Sequence, residues 1–514
     1  MFDHAITGGV IVDGTGAAPY SANLYIKDGK IARITPEYLP AEKTFDAKGH
    51  ITAPGFIDLH AHSDRLYQDN PTMESKLTNG ITFEFTGQCG YSAVPVTSLN
   101  LTDKNNDGIT DVDSYAEDIA RRGVSINIGT LIGHGTLRQA VMGWEKRQLT
   151  PEELDKVCGL LGEQLDQGAG GVSFGLIYAP GSFCDTAEII ALAKVAASRG
   201  KLLAVHMRNE NRHVFEALDE MISVAKASGV RLEISHLKLM GQSQWGRAQE
   251  LLDKIDRARA EGVDIHCDQY PYIASHSSLY PCFPNYVMNG GYPAFTELLK
   301  DDKSWAEMSR DGLQEMYERC SPDRITVDSL GGNVLPQCLG HTLTEIADIL
   351  GMPLLEAFRY MLIRSGGKGG AVYRCMDEGD MLKIMSRRDI SVISDGNALS
   401  FDQKAGTTHP RNFGTASRFL RIVREHKLMP IEDAVRKLTG LPASILRADD
   451  RFGLLKEGMD ATITVFDKDT VTDKATFENP RQQSEGIDLV MVNGQTVLQD
   501  GHPTAARPGR FVRL

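Results

Sequence analysis

No uninterrupted apolar run in the 514 residues approaches the roughly 18 needed to span a membrane. The start, Met1-Phe2-Asp3-His4, has neither a basic region nor an apolar core of a secretory signal. Both absences point to a soluble, cytoplasmic protein without a membrane partner. Cysteine is sparse: eight thiols are scattered along the chain and none forms a CxxC pair, which argues against a disulfide framework and a structural zinc finger. Basic charge is also short, with 55 Lys and Arg against 68 Asp and Glu, a net charge of -13, and no Lys/Arg cluster. Sequence-independent nucleic-acid binding needs such a cluster, so a nucleic-acid partner is not expected. Repeats and low-complexity tracts are missing too. What remains is an ordinary globular composition, 41% hydrophobic and 24% charged, in a chain long enough for one large domain plus satellites.

Residues 1 to about 52 alternate apolar and polar positions with Gly punctuation, as in Leu24-Tyr25-Ile26-Lys27-Asp28-Gly29-Lys30-Ile31, and read as short antiparallel strands and hairpins. The same style returns in Ala461–Phe466 and Leu489–Gly494. Residues 1–52 and 446–514 are therefore expected to form one small β-sandwich domain flanking a central unit. That unit, 53–445, alternates strand-like runs with amphipathic helices. Eight candidate strands lie near 52–60, 80–87, 125–133, 170–177, 201–207, 230–236, 263–270 and 390–395, the number that closes an α/β (β/α)8 TIM-like barrel. The long gap between the last two implies an inserted lid at about 274–350.

His60-Ala61-His62 ends the first strand, and residues two apart on a strand project to the same face. Cys89, His206, His236 and Asp395 follow strands two, five, six and eight. Taken singly, each has a structural alternative: a buried thiol, a core imidazole, a turn former. Together they place six metal-ligating side chains at the barrel face where active sites sit. Imidazole, thiolate and carboxylate suit zinc, which accepts N, S and O donors and keeps a position open in catalytic sites. A carboxylate beside it can shuttle a proton between water and a leaving amine, so hydrolysis of an amide-like bond is expected.

These residues stand in longer motifs: Pro54-Gly55-Phe56-Ile57-Asp58-Leu59-His60-Ala61-His62, Thr86-Gly87-Gln88-Cys89-Gly90, Gly133-His134-Gly135-Thr136-Leu137-Arg138, His206-Met207-Arg208-Asn209-Glu210, Ser235-His236-Leu237-Lys238, Tyr270-Pro271-Tyr272, Ser394-Asp395-Gly396 and His409-Pro410-Arg411. Over nearly its whole length the chain resembles the N-acyl-D-amino-acid deacylases, or D-aminoacylases, of the amidohydrolase superfamily. The resemblance implies that Cys89 replaces the lysine that bridges two metals in many relatives, in agreement with a fourth strand, Gly171–Tyr178, without lysine. It implies one tight zinc on Cys89, His206 and His236 and a weak second site on His60, His62 and Asp395. Asp395 is expected to be the catalytic base and acid, because no other carboxylate stands at a strand end beside the ligands. The small-molecule N-acyl amino acid would be held by Lys238, Tyr270 and Arg411 at its carboxylate, with Tyr178 near the side-chain pocket. Leu237, where the family often has a second histidine, and a lengthened stretch from Asn397 to Thr408 depart from the pattern.

Two other readings share the barrel: a cyclic amidase of the hydantoinase or dihydroorotase kind, and an inert scaffold. Cys89 and the missing lysine count against the first, and the complete ligand set against the second. Asp103-Lys104-Asn105-Asn106-Asp107-Gly108 imitates the opening of a calcium loop, but its twelfth position is Ser114 instead of Glu, so a polar turn is expected. Asp58, two before His60, is expected to lie deeper in the barrel as a supporting hydrogen-bond partner. The preferred D-amino acid, the acyl group and the oligomeric state are not encoded in these motifs.

Overall fold

The computed structural model describes residues 1–102, 105–402 and 408–514. Eight parallel strands form its centre: β1 (Phe56–Asp58), β2 (Ile81–Thr86), β3 (Asn127–Thr130), β4 (Gly171–Gly175), β5 (Leu202–His206), β6 (Arg231–Ile234), β7 (Ile265–Gln269) and β8 (Ile390–Val392). β2, β4 and β5 are buried at every residue, the mark of strands covered on both faces. β1, β2 and β3 pair in parallel, and so do β4 to β8. Between the two groups the chain continues from β3 through Ile132–Gly133, which pairs with Val172 and Ser173 of β4. A parallel bridge from Ala61 to Gly396 joins the first and last strands, so the sheet closes into the expected barrel. No helix among the described residues is long and apolar enough to cross a membrane.

The flanking β-strands form two sheets. Lys30–Thr35, Asn23–Lys27, Phe2–Thr7 and Ala41–Asp46 make one; the other interleaves both ends of the chain, with Ile463–Phe466 pairing against Ile51–Pro54. Ile6, Leu24, Ile26, Ile463, Val465 and Leu489 share the apolar core of this unit. Three boundaries differ from the sequence reading. The N-terminal β-segment runs through Pro54, and the last residues leave the sandwich: Ile128 of β3 donates its N–H to the Arg510 carbonyl (3.0 Å) and accepts that of Val512 (2.8 Å). The inserted unit also extends beyond 350, because Gly369–Tyr373 pairs with both Ser275–Ser278 and Ile325–Leu330 in a small antiparallel sheet. Of the calcium-like stretch, Asp103 and Lys104 lie outside the described residues; Asp107 pairs with Arg65, and Asp111 caps the helix Val112–Arg122, with Ser114 closing the capping box.

A buried ion network ties the barrel seam. Lys76, 1% exposed, donates to Asp58 of β1 at 2.7 Å and to Ser394 Oγ beyond β8 at 2.9 Å, and lies 3.4 Å from Glu84 of β2. Asp58 also accepts the Ser394 N–H at 2.9 Å, the supporting role expected of it. Burial pushes Glu84 up to about 7 against the pull of Lys76. Removing one partner of a buried pair leaves uncompensated charge and costs about 3–5 kcal/mol. Lys76→Met is therefore expected to lose about that much stability in chemical unfolding; wild-type stability in the variant would show that the cation is not needed at the seam.

Candidate metal centre

The six expected ligands meet at the C-terminal mouth of the barrel, most of them buried. Three of them adopt left-handed backbone conformations just beyond strand ends: Cys89 (φ 50°), His236 (φ 38°) and Asp395 (φ 49°). Such a conformation costs on the order of 1–3 kcal/mol for a residue other than glycine and persists only where its surroundings enforce it. Here they do. A methyl group on Gly175 would lie 2.2 Å from the Cys89 carbonyl oxygen, so the β2 loop rests directly on β4. Asp268 of β7 accepts the His236 N–H, and Asp395 donates its own N–H to the His60 carbonyl at 2.9 Å.

The Cys89 sulfur lies 3.5 Å from His60 Nε2, 3.5 Å from His236 Nε2 and 3.8 Å from His206 Nδ1. Zinc bonds of about 2.3 Å to sulfur and 2.0–2.1 Å to nitrogen, at tetrahedral angles, put donors about 3.5 Å apart. Asp395 Oδ1 is 2.9 Å from His62 Nε2 and 3.4 Å from His60 Nε2. Donor atoms of His60, Cys89, His236 and Asp395 all lie within 4.8 Å of one another. The donor set and its spacing therefore fit zinc.

The charges in the site are interlocked. Burial opposes the Cys89 thiolate, but charged His60 and hydrogen bonds from three imidazoles hold its pKa well below the usual thiol value. Asp395 is likewise opposed by burial and held well below the carboxylate range by Arg411, His236, His60 and His62. Burial disfavours charge on His62, yet hydrogen bonds to Asp395 and Cys89 raise it to about 9.

Glu210 received no role from the sequence. It follows His206 by four residues, and its carboxylate lies 3.3 Å from His206 Nε2 and 3.1 Å from His236 Nδ1. These are the ring nitrogens facing away from Cys89, so one carboxylate stands behind both rings, a common arrangement behind metal-binding histidines. Asp268 stands similarly behind His60, 3.5 Å from Nδ1. Lys238 lines the cavity but is paired with Glu210 at 2.7 Å and lies 2.7 Å from His236 Nδ1; Arg411 is paired with Asp395 at 2.7 Å. Their cationic centres lie 5.8 and 5.1 Å from the Tyr270 ring centroid. The buried Tyr270 hydroxyl has no hydrogen-bond partner among the described residues. His409 positions Arg411 by accepting its N–H at 3.0 Å. Tyr178 lies 2.9 Å from Ser277 Oγ, hydroxyl to hydroxyl. Five of the expected ligands, His62, Cys89, His206, His236 and Asp395, line one cavity of about 450 Å3 together with Tyr178, Lys238, Tyr270 and Arg411.

Fold and donor set define the class: a metal-dependent hydrolase on an eight-stranded barrel. The model of the amidohydrolase family matches residues 43–330 and 353–498. N-acyl-D-glutamate deacylase of Alcaligenes xylosoxydans xylosoxydans is 35% identical over 99% of this chain and 96% of its own length. The crystal structure of N-acyl-D-glutamate deacylase from Bordetella bronchiseptica, complexed with zinc and a phosphonate mimic of the tetrahedral intermediate, superposes with a TM-score of 0.86 at 34% identity, covering all of both chains. A D-aminoacylase structure concerned with a binuclear metal centre, with one-metal activation and second-metal attenuation, gives 0.84 at 30% identity over 99% of each chain. The chain belongs to the amidohydrolase family, in the group of the N-acyl-D-amino-acid deacylases.

Glu210→Gln keeps the shape behind the two imidazoles and removes the charge. Its zinc affinity, measured by chelator competition, is expected to fall about 10- to 100-fold, and some stability is lost as well because Lys238 loses its buried counter-charge. Unchanged affinity would remove Glu210 from the support of the metal.

Proposed function

We propose that the protein hydrolyses the amide bond of N-acyl-D-amino acids to a carboxylate and a free D-amino acid. The observation that carries this reading is the Cys89 sulfur among three imidazoles, with Asp395 facing the same cavity, in a chain matched end to end by deacylases. Cys89, His206 and His236 would form the tight site, supported by the carboxylate of Glu210 behind both rings. His60, His62 and Asp395 would form a weaker second one. Zinc held by Cys89, His206 and His236 would supply Lewis acidity toward the carbonyl and water.

Asp395 is the general base and acid. Arg411 engages Oδ2, which leaves Oδ1 toward the histidines and the cavity. Oδ1 takes a proton as the water oxygen bonds to the carbonyl carbon, then returns it to the amine nitrogen as the C–N bond breaks. The substrate carboxylate lies between Lys238 and Arg411, which flank Tyr270, and meets its unpartnered hydroxyl. A buried donor without an acceptor costs about 1–3 kcal/mol, and an incoming carboxylate removes that cost. The cyclic-amidase reading finds no lysine on β4, where Gly175 abuts Cys89.

A zinc-loaded panel of N-acetyl-D- and N-acetyl-L-amino acids tests the reading, with turnover expected for D substrates only. Asp395→Asn is expected to lower kcat by about 10²- to 10⁴-fold while zinc stays on Cys89, His206 and His236. Turnover like wild type would take Asp395 out of the mechanism, and loss of the tight zinc would make it a structural ligand.

A further inference from the structure

Most cations at the barrel mouth already have close anionic partners: Lys238 with Glu210, Arg411 with Asp395, Arg208 with Glu220 and Arg212 with Glu318. Arg319 does not. It ends the helix Asp302–Arg319 of the inserted unit, its side chain is 12% exposed, and it lines the cavity that holds the metal ligands. Among the described residues its charge contact is Glu315 at 3.6 Å, beyond hydrogen-bond distance, and its guanidinium makes no hydrogen bond. A guanidinium carries five donors in a planar fork, and Arg319 presents its fork to the cavity it lines, where an anion can meet it.

The arginine is also firmly placed. A methyl group at Gly241 would lie 2.2 Å from the Glu318 carbonyl oxygen, so the end of this helix rests on the β6 loop that carries Lys238. Tyr178 and Tyr373 line the same cavity and lie near enough to act on its charge. The Tyr178 hydroxyl is engaged with Ser277 and that of Tyr373 with the Ser278 carbonyl. Without Arg319 this wall would suit an apolar side chain. With it, one cavity offers two separate cationic positions, Lys238 with Arg411 around Tyr270, and Arg319 on the inserted unit.

We propose that Arg319 is a specificity-determining residue that binds a carboxylate on the substrate side chain, so that preferred substrates are N-acyl-D-amino acids with an acidic side chain. This rests on the deacylase reading above. The α-carboxylate occupies the Tyr270 position and the side-chain carboxylate pairs with the guanidinium fork, a bidentate match that an uncharged amide cannot make.

The test compares kcat/KM of the zinc-loaded enzyme for N-acetyl-D-glutamate against N-acetyl-D-glutamine, and for the aspartate and asparagine pair, in wild type, Arg319→Met and Arg319→Lys. In wild type an acid is expected to exceed its amide by about 10- to 100-fold, as for a hydrogen bond to a charged group, mostly through KM. Arg319→Met should abolish the preference while leaving amide rates within a few-fold and zinc content unchanged; Arg319→Lys should retain part of it. Amides turned over as well as acids by wild type, or an acid preference that survives in Arg319→Met, would overturn the assignment. Absence of turnover on every N-acyl-D-amino acid would instead overturn the deacylase reading, and this inference with it.

Discussion

A single buried sulfur within 3.5–3.8 Å of three imidazole nitrogens is the constraint around which the barrel mouth is built. A thiolate in such a place needs compensating charge and rigid neighbours, because burial alone drives it toward the neutral thiol. The imidazoles supply the charge. Rigidity comes from the β2 loop lying on β4, where no side chain fits between Gly175 and the Cys89 carbonyl.

From that centre, charges alternate outward. Glu210 stands behind two imidazoles and is in turn held by Lys238; Asp395 stands beside two others and is held by Arg411. Below them, Lys76 binds the carboxylates of β1 and β2 and the serine next to Asp395. Each of these buried charges thus has an opposite neighbour, the condition under which ionised groups are tolerated away from water. The pairing also sets geometry: a carboxylate gripped on one oxygen presents the other in a fixed direction, and that is what proton transfer at Asp395 requires.

The barrel was legible because strands buried on both faces read as continuous apolar runs and because each ligand stands at a strand end. The insertion's end was not. Gly369–Tyr373 is short and pairs with Ser275–Ser278 and Ile325–Leu330, and no local pattern announces such distant partners. Pairing also hid the supporting shell. Glu210 stood in the His206 motif as an ordinary acidic residue, and Lys76 lies on the four-residue helix Glu74–Leu77 that carries no periodic signal. Arg319 belongs to a helix rich in charges, where sequence alone assigns a solvated face. Only the fold shows that this end of the helix turns into the cavity. Lys238 and Arg411 stood out in the sequence, but not the carboxylates that hold them.

X-ray absorption of the zinc-loaded protein tests the central claim most directly, because sulfur and the lighter donors scatter at different distances. One sulfur at about 2.3 Å is expected among nitrogen and oxygen donors at about 2.0–2.1 Å, with the sulfur shell absent in Cys89→Ala. A shell of nitrogen and oxygen alone in the wild-type protein would contradict it.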